Sequence, residues 1–191
     1  FDLALTEVLS NDDHYFLTEI GSERGYAIME QIKTTPATKI EVEEADKLIS
    51  RAENKMKKLL KTKDLPKFLS DNLESSHWDD MAKRCLTCGN CTMVCPTCFC
   101  STVEDVTDLS GQNAERVRKW DSCFTMDFSK VAGGNFRITP RSRYRQRVMH
   151  KFSYWLEQFG IFGCVGCGRC TTWCPVGIDV AAEIRTLRGS E

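Results

Sequence analysis

CLTCGNCTMVCP (residues 85–96) and CVGCGRCTTWCP (residues 164–175) are the two stretches on which the fold turns. Both read C-x2-C-x2-C-x3-C-P, the spacing that wraps a [4Fe-4S] cube. Three thiolates set two residues apart can grip one face of a cube from a tight loop. The fourth, one helical turn further on, points away and serves the neighbouring cluster. The spacing therefore assigns Cys85, Cys88, Cys91 and Cys174 to one cluster, and Cys164, Cys167, Cys170 and Cys95 to the other. Gly89 and Gly168 remove side chains where backbone must approach sulfide, and Pro96 and Pro175 redirect the chain without offering an amide donor. Each cluster staples the two ends of an insertion, residues 96–163, so cluster loss is expected to unfold the domain.

The rest of the composition supports this chemistry over its rivals. The chain has 191 residues and 11 cysteines, none of them before Cys85. A secreted disulfide scaffold spreads an even number of cysteines along its length. Zinc uses two separated cysteine or histidine pairs and has little use for two runs of four. No apolar run approaches the roughly 18–20 residues that span a bilayer. The formal net charge of −1 hides an asymmetry: residues 1–83 carry −5 and residues 84–191 carry +4. Phe1 is not a Met, and FDLALTEVL reads like the middle of a β-rich segment, so more chain is expected upstream.

The expected architecture is mainly α, an α-helical ferredoxin-like two-cluster domain preceded by a small α/β remnant with a few short strands. Residues 1–38 read as the end of an N-terminal α/β domain, 39–84 as a helical connector and 85–191 as the dicluster domain. Within the first, Leu3 to Leu9 and Tyr15 to Ile20 are apolar stretches and Gly21 to Gly25 a turn. Residues 41–61 show helical spacing, with Lys55, Lys57, Lys58 and Lys61 in the last turns. Pro66 starts another helix, and Trp78, Met81, Ala82 and Cys85 fall on one helical face. Thr139 and Pro140 make an N-cap and N1 pair. They precede an apolar stripe of Tyr144, Val148, Phe152, Trp155 and Phe159 that Gly160 can end. Asp179 caps a last helix running to Gly189, and residues 98–103 read as a strand.

Three cysteines stand outside the motifs. If residues 98–103 are extended, Cys98 and Cys100 share a face. With Cys123 they offer three ligands for a third iron–sulfur cluster completed by Asp121, another chain or upstream sequence; inert buried thiols are the reading slightly preferred, and both stay open. Between residues 128 and 156 lie seven cations (Lys130, Arg137, Arg141, Arg143, Arg145, Arg147 and Lys151) and no acid. They suit phosphate in principle, but the adjoining stripe reads as core. Compensation of anionic clusters or docking of an acidic partner is the preferred reading, with no nucleic acid expected. His14, His77 and His150 show no ligand spacing, and His150 reads as solvated.

The segment from Cys85 to Asp179 resembles the 4Fe-4S dicluster electron-transfer subunits of oxidoreductase complexes. It is most similar to the beta subunits of sulfhydrogenase-type cytoplasmic [NiFe] hydrogenases, and also to the electron-transfer subunit of anaerobic sulfite reductases. CPTCFCSTVEDV (95–106), RKWDSCFTMDFS (118–129), GGNFR (133–137), RYRQRVMHKF (143–152) and GCVGCGRCTTWCPVGIDV (163–180) carry the resemblance. It implies a cytoplasmic, anaerobic electron conduit with two [4Fe-4S] clusters and no catalytic site of its own. Its implied partners are a flavin/NAD(P)-binding subunit and a hydrogenase or reductase catalytic subunit, with a heterodisulfide-reductase-like complex as an alternative setting. No glycine-rich nucleotide fingerprint is present in the sequence, which agrees with flavin and nicotinamide residing on another subunit.

Overall fold

The computed structural model describes residues 1–9, 13–56 and 58–189; Lys57, one of the four lysines noted above, lies outside them. The chain divides into two units, Phe1–Leu59 and Leu60–Glu191. Helices predominate in it, and each sheet is a two-stranded antiparallel ribbon.

In the first unit, β1 (Leu3–Leu9) and β2 (His14–Ile20) pair from Leu3↔Ile20 to Leu9↔His14. The expected turn at residues 21–25 is instead the start of α1 (Glu23–Met29), because Ser22 accepts a hydrogen bond from the Gly25 amide and so caps a helix. Helix α2 (Lys39–Lys55) begins with a capping box. Thr38 Oγ1 accepts from the Glu41 amide, and the Glu41 carboxylate accepts from the Thr38 amide at 2.6 Å. It ends at Lys55, short of the expected residue 61. Beyond that point Lys58 and Lys61 continue the like charge of Lys55 at helical spacing, which disfavours another turn. Val8 and Ala45 form the small buried contact between hairpin and helix.

In the second unit, α3 (Leu65–Asp71) starts at Leu65–Pro66, and α4 (His77–Arg84) buries Trp78 and Met81. The long helix begins as read: Thr139 accepts from the Ser142 amide, and α6 (Pro140–Met149) follows. A π-turn, His150–Tyr154, then widens the helix before α7 (Trp155–Phe159) closes it at Gly160. Tyr144, Val148 and Phe152 are core, packed with Leu65, Leu69, Trp78, Met81 and Ile184. Phe159 is half exposed, because the π-turn rotates the last part of the stripe away from that core. Asp179 caps α9 (Val180–Leu187), accepting from the Ala181 and Ala182 amides. Between α4 and α6 lie a short helix, α5 (Asn90–Met93), and a hairpin of β3 (Ser101–Thr107) and β4 (Ala114–Trp120). A two-residue pair, β5 (Lys130–Val131) and β6 (Gly134–Asn135), follows them. The remaining helix, α8 (Arg169–Thr172), lies in the second cysteine motif and packs against α5. Among the described residues no helix is long and apolar enough to cross a membrane.

Candidate metal centres

The two motifs fold as copies of one another. Thr87 and Gly166, each two residues after the first cysteine, have φ of +53° and +68°. Gly89 and Gly168 follow at +76° and +74° and cap α5 and α8. The left-handed backbone explains the glycines, since only a residue without Cβ adopts it freely. Cys95 donates its amide to the Thr92 carbonyl, as Cys174 does to that of Thr171, both at 3.3 Å. Backbone amides also turn toward sulfur. Thr87 N–H donates to Cys85 Sγ at 3.4 Å, Ile178 N–H to Cys174 Sγ at 3.3 Å, and Gly166 N–H to Cys164. Amides so placed stabilise thiolate and sulfide charge.

Thiols of the two motifs face each other across the unit. Cys85, Cys88, Cys91, Cys170 and Cys174 line one pocket of about 400 Å³, beside Tyr144 and Arg147. Cys85 lies within electrostatic reach of Cys88 and Cys174, and Cys164 of Cys170 and Cys95. The fourth cysteine of each motif thus stands near the first cysteine of the other. Cys88 and Cys167 are exposed. Among the described residues no three His, Cys, Asp or Glu side chains converge as one bare ion would require. A cube, with its irons at separate corners, takes ligands that stand further apart.

The cations of the basic stretch, read from the sequence as compensating anionic clusters or docking an acidic partner, include three that are buried, which that reading did not foresee. Arg143, Arg147 and Lys151 are 2%, 4% and 5% exposed, a buried row running beside the apolar row Tyr144, Val148 and Phe152. Burial opposes the Arg147 charge, but the Cys91, Tyr144 and Cys170 groups outweigh it and push its pKa up. Its guanidinium lies 5.6 Å from the Tyr144 ring centroid, and its Nε has no hydrogen-bond partner. An orphaned buried cation donor between cysteine thiols fits an anionic cofactor there. Lys151 Nζ donates to Thr97 Oγ1 at 2.9 Å and to the Gly163 carbonyl at 3.0 Å. Arg143 donates to the Cys123 carbonyl at 3.1 Å and to the Thr125 carbonyl. Arg141 pairs with Glu74 and Asp79, and Arg145 with Glu74. These five side chains are therefore engaged within the chain. The spacing of four in Arg143, Arg147 and Lys151 was the available signal, since a buried cationic row needs anions facing it.

Burial pushes the Cys91 thiol up to about 11 and Cys123 likewise to about 11. Cys95 is held down at about 4, mainly by a hydrogen bond from the Cys98 thiol, which is raised in turn. Strand β3 begins only at Ser101, so Cys98 and Cys100 precede the strand instead of sharing its face. Asp121 turns to its own loop, where Oδ1 accepts from the Ser122 amide at 2.7 Å and Thr125 Oγ1 at 2.6 Å. His150 is half-buried, not solvated, with its ring 6.2 Å from that of Trp155. The wider turn of the π-helix brings it inward.

Residues 84–178 match the family described as the 4Fe-4S dicluster domain. The chain is similar to sulfhydrogenase 2 subunit beta of Pyrococcus furiosus, with 36% identity over 98% of this chain and 55% of the relative. It thus spans about half the length of that relative. No solved structure matches it.

Proposed function

Since this chain belongs to the 4Fe-4S dicluster family, we propose that it is the electron-transfer subunit of a hetero-oligomeric oxidoreductase, most closely of the hydrogenase kind. Cys85, Cys88, Cys91 and Cys174 would hold one [4Fe-4S] cluster, and Cys164, Cys167, Cys170 and Cys95 the other. Bound there, such clusters supply one-electron chemistry. The observation that supports the reading is the pocket that Cys85, Cys88 and Cys91 of the first motif share with Cys170 and Cys174 of the second. Two ligand sets so interleaved stand side by side in one unit, as a relay requires.

The chain's own residues set the conditions for that relay. Arg147 and Lys151 offset cluster charge inside the protein, and the amides of Thr87, Gly166 and Ile178 hydrogen-bond the sulfur ligands. Cys88 and Cys167 are exposed, so each ligand set has one edge at the surface where a partner can approach. The proposed partners are a flavin/NAD(P)-binding subunit and a hydrogenase or reductase catalytic subunit; the name of the Pyrococcus relative supports the hydrogenase setting.

The test is anaerobic co-purification of the full-length protein with its associated subunits, followed by NAD(P)H addition under EPR. Reduced-cluster signals from this subunit should appear only when the flavin subunit is present. Clusters that stay oxidised while the flavin is reduced would sink the reading.

A further inference from the structure

Cys98, Cys100 and Cys123 belong to neither motif, yet they line one pocket of about 310 Å³ together with Arg147, His150 and Lys151. The approach of residues so far apart in sequence has a plain cause. Hairpin β3–β4 closes at Ser101↔Trp120, and one rung further the Asp121 amide donates to the Cys100 carbonyl at 2.9 Å. The loop after β4 is therefore laid beside Cys100. Two further bonds hold it there: Ser122 Oγ lies 2.6 Å from Thr92 Oγ1, and Arg143 grips the Cys123 carbonyl.

The pocket is built for an anion. Two cations that are more than nine-tenths buried, Arg147 and Lys151, line it, and the Arg147 Nε is without a partner. Arg147 and Lys151, which also face the motif cysteines, give this pocket a cationic wall that suits thiolates on a metal centre. A single ion is the wrong size. It draws its ligands in to about 2.0–2.3 Å, and no three candidate side chains among the described residues converge that closely. A four-iron cube accepts the wider set. Asp121 is not on the pocket wall and its Oδ1 is taken, whereas His150 is on the wall.

We propose that Cys98, Cys100, Cys123 and His150 hold a third [4Fe-4S] cluster. The site lies next to the proposed second cluster, since Cys98 stands beside Cys95, and it shares Arg147 with the first. It would give the relay a third station in this unit. The proposal does not depend on which partners supply or take electrons, because iron content is the same whatever they are.

The full-length protein, purified anaerobically with its associated subunits, is compared with a Cys100→Ser/Cys123→Ser variant for iron and acid-labile sulfide. The variant should lose about four irons and four sulfides per chain and keep the rest. Equal iron in both, or a loss of zinc in place of iron, overturns the proposal. Because a double variant can lose its fold, a second measurement uses the unaltered sequence. Labelled with 15N-histidine and reduced, it should show by ENDOR an imidazole nitrogen bonded directly to a cluster. His150→Cys should abolish that coupling and retain the iron. Absence of the coupling from the unaltered protein, or its persistence in His150→Cys, overturns the assignment.

Discussion

Arg147 is a residue on which both proposed motif clusters depend. Its guanidinium acts on Cys85 and Cys91 of one ligand set and on Cys170 of the other. Adding an electron makes a cluster more anionic, so a nearby fixed cation favours reduction and raises the potential. At an effective dielectric near 20, a unit charge roughly 6–8 Å away contributes about 2–3 kcal/mol. For a one-electron couple this is on the order of 100 mV. Arg147→Met should therefore lower both potentials by tens of millivolts to about 100 mV, read by EPR-monitored redox titration. Arg147→Lys should recover part of the shift, and Arg118→Met, on the exposed hairpin, should move neither potential. Unchanged potentials in Arg147→Met would show that the buried cation serves packing alone. Thr87 is a second informative residue, being β-branched at a positive φ where the other motif has Gly166. That conformation is costly for a branched side chain, and the strain falls in a loop that carries proposed metal ligands.

Among the elements, the long helix shows what local chemistry reveals and what it conceals. Thr139, Pro140, Gly160 and Asp179 are legible because a cap depends on two or three adjacent residues and their orphan amides or carbonyls. The Thr139 hydroxyl accepts from the Ser142 amide. Thr139→Ala should cost about 1 kcal/mol, measured as a lower denaturant midpoint of the cluster-loaded protein with cluster content unchanged. A midpoint equal to that of the unaltered protein would mean that the tertiary packing of α6 alone holds this helix end. The π-turn at residues 150–154 was not legible, since nothing in HKFSY forbids an ordinary helix. Its cause is tertiary: Lys151 is drawn to Thr97 and the Gly163 carbonyl, and Gly163 lies so close to Trp155 that a Cβ would fall 2.8 Å from the ring. Hairpin β3–β4 was legible only in the first residues of β3, within the strand read at residues 98–103, for the opposite reason. Neither face is buried, so the apolar/polar alternation that marks a half-buried strand is missing. Its cross-strand pairs, Arg116 with Asp105 and Lys119 with Glu104, become recognisable only once the register is known.

At the scale of the whole second unit, the cysteines join what the sequence separates, and a salt bridge repeats the connection. Arg84, next to the first motif, donates to both oxygens of Glu183 at 2.9 and 2.8 Å, and His77 lies 3.2 Å from the same carboxylate. Helices α4 and α9, on either side of the two motifs, are thereby tied to each other. Motif spacing proposes the eight cysteines as two sets. It could not reveal that Arg147 stands between them, because that contact is made by residues at least twenty positions apart. The crossing has a consequence that linear pairing does not share. If Cys95 serves the set formed by Cys164, Cys167 and Cys170, then Cys95→Ala and Cys164→Ala should damage the same EPR-resolved cluster. Cys174→Ala and Cys85→Ala should damage the other. In linear pairing, Cys95→Ala would instead match Cys85→Ala. Iron counts and EPR spectra of the four variants, each purified anaerobically, separate the two patterns. Stability gives an independent check. A ligand removed from a crossed set loosens a clamp between distant parts of the chain, whereas in a linear set it opens only a local loop. The crossed arrangement therefore predicts lower thermal midpoints for Cys95→Ala and Cys174→Ala alike, with α4 and α9 losing amide protection together in hydrogen exchange. Loss of protection confined to the mutated motif would reject the crossing.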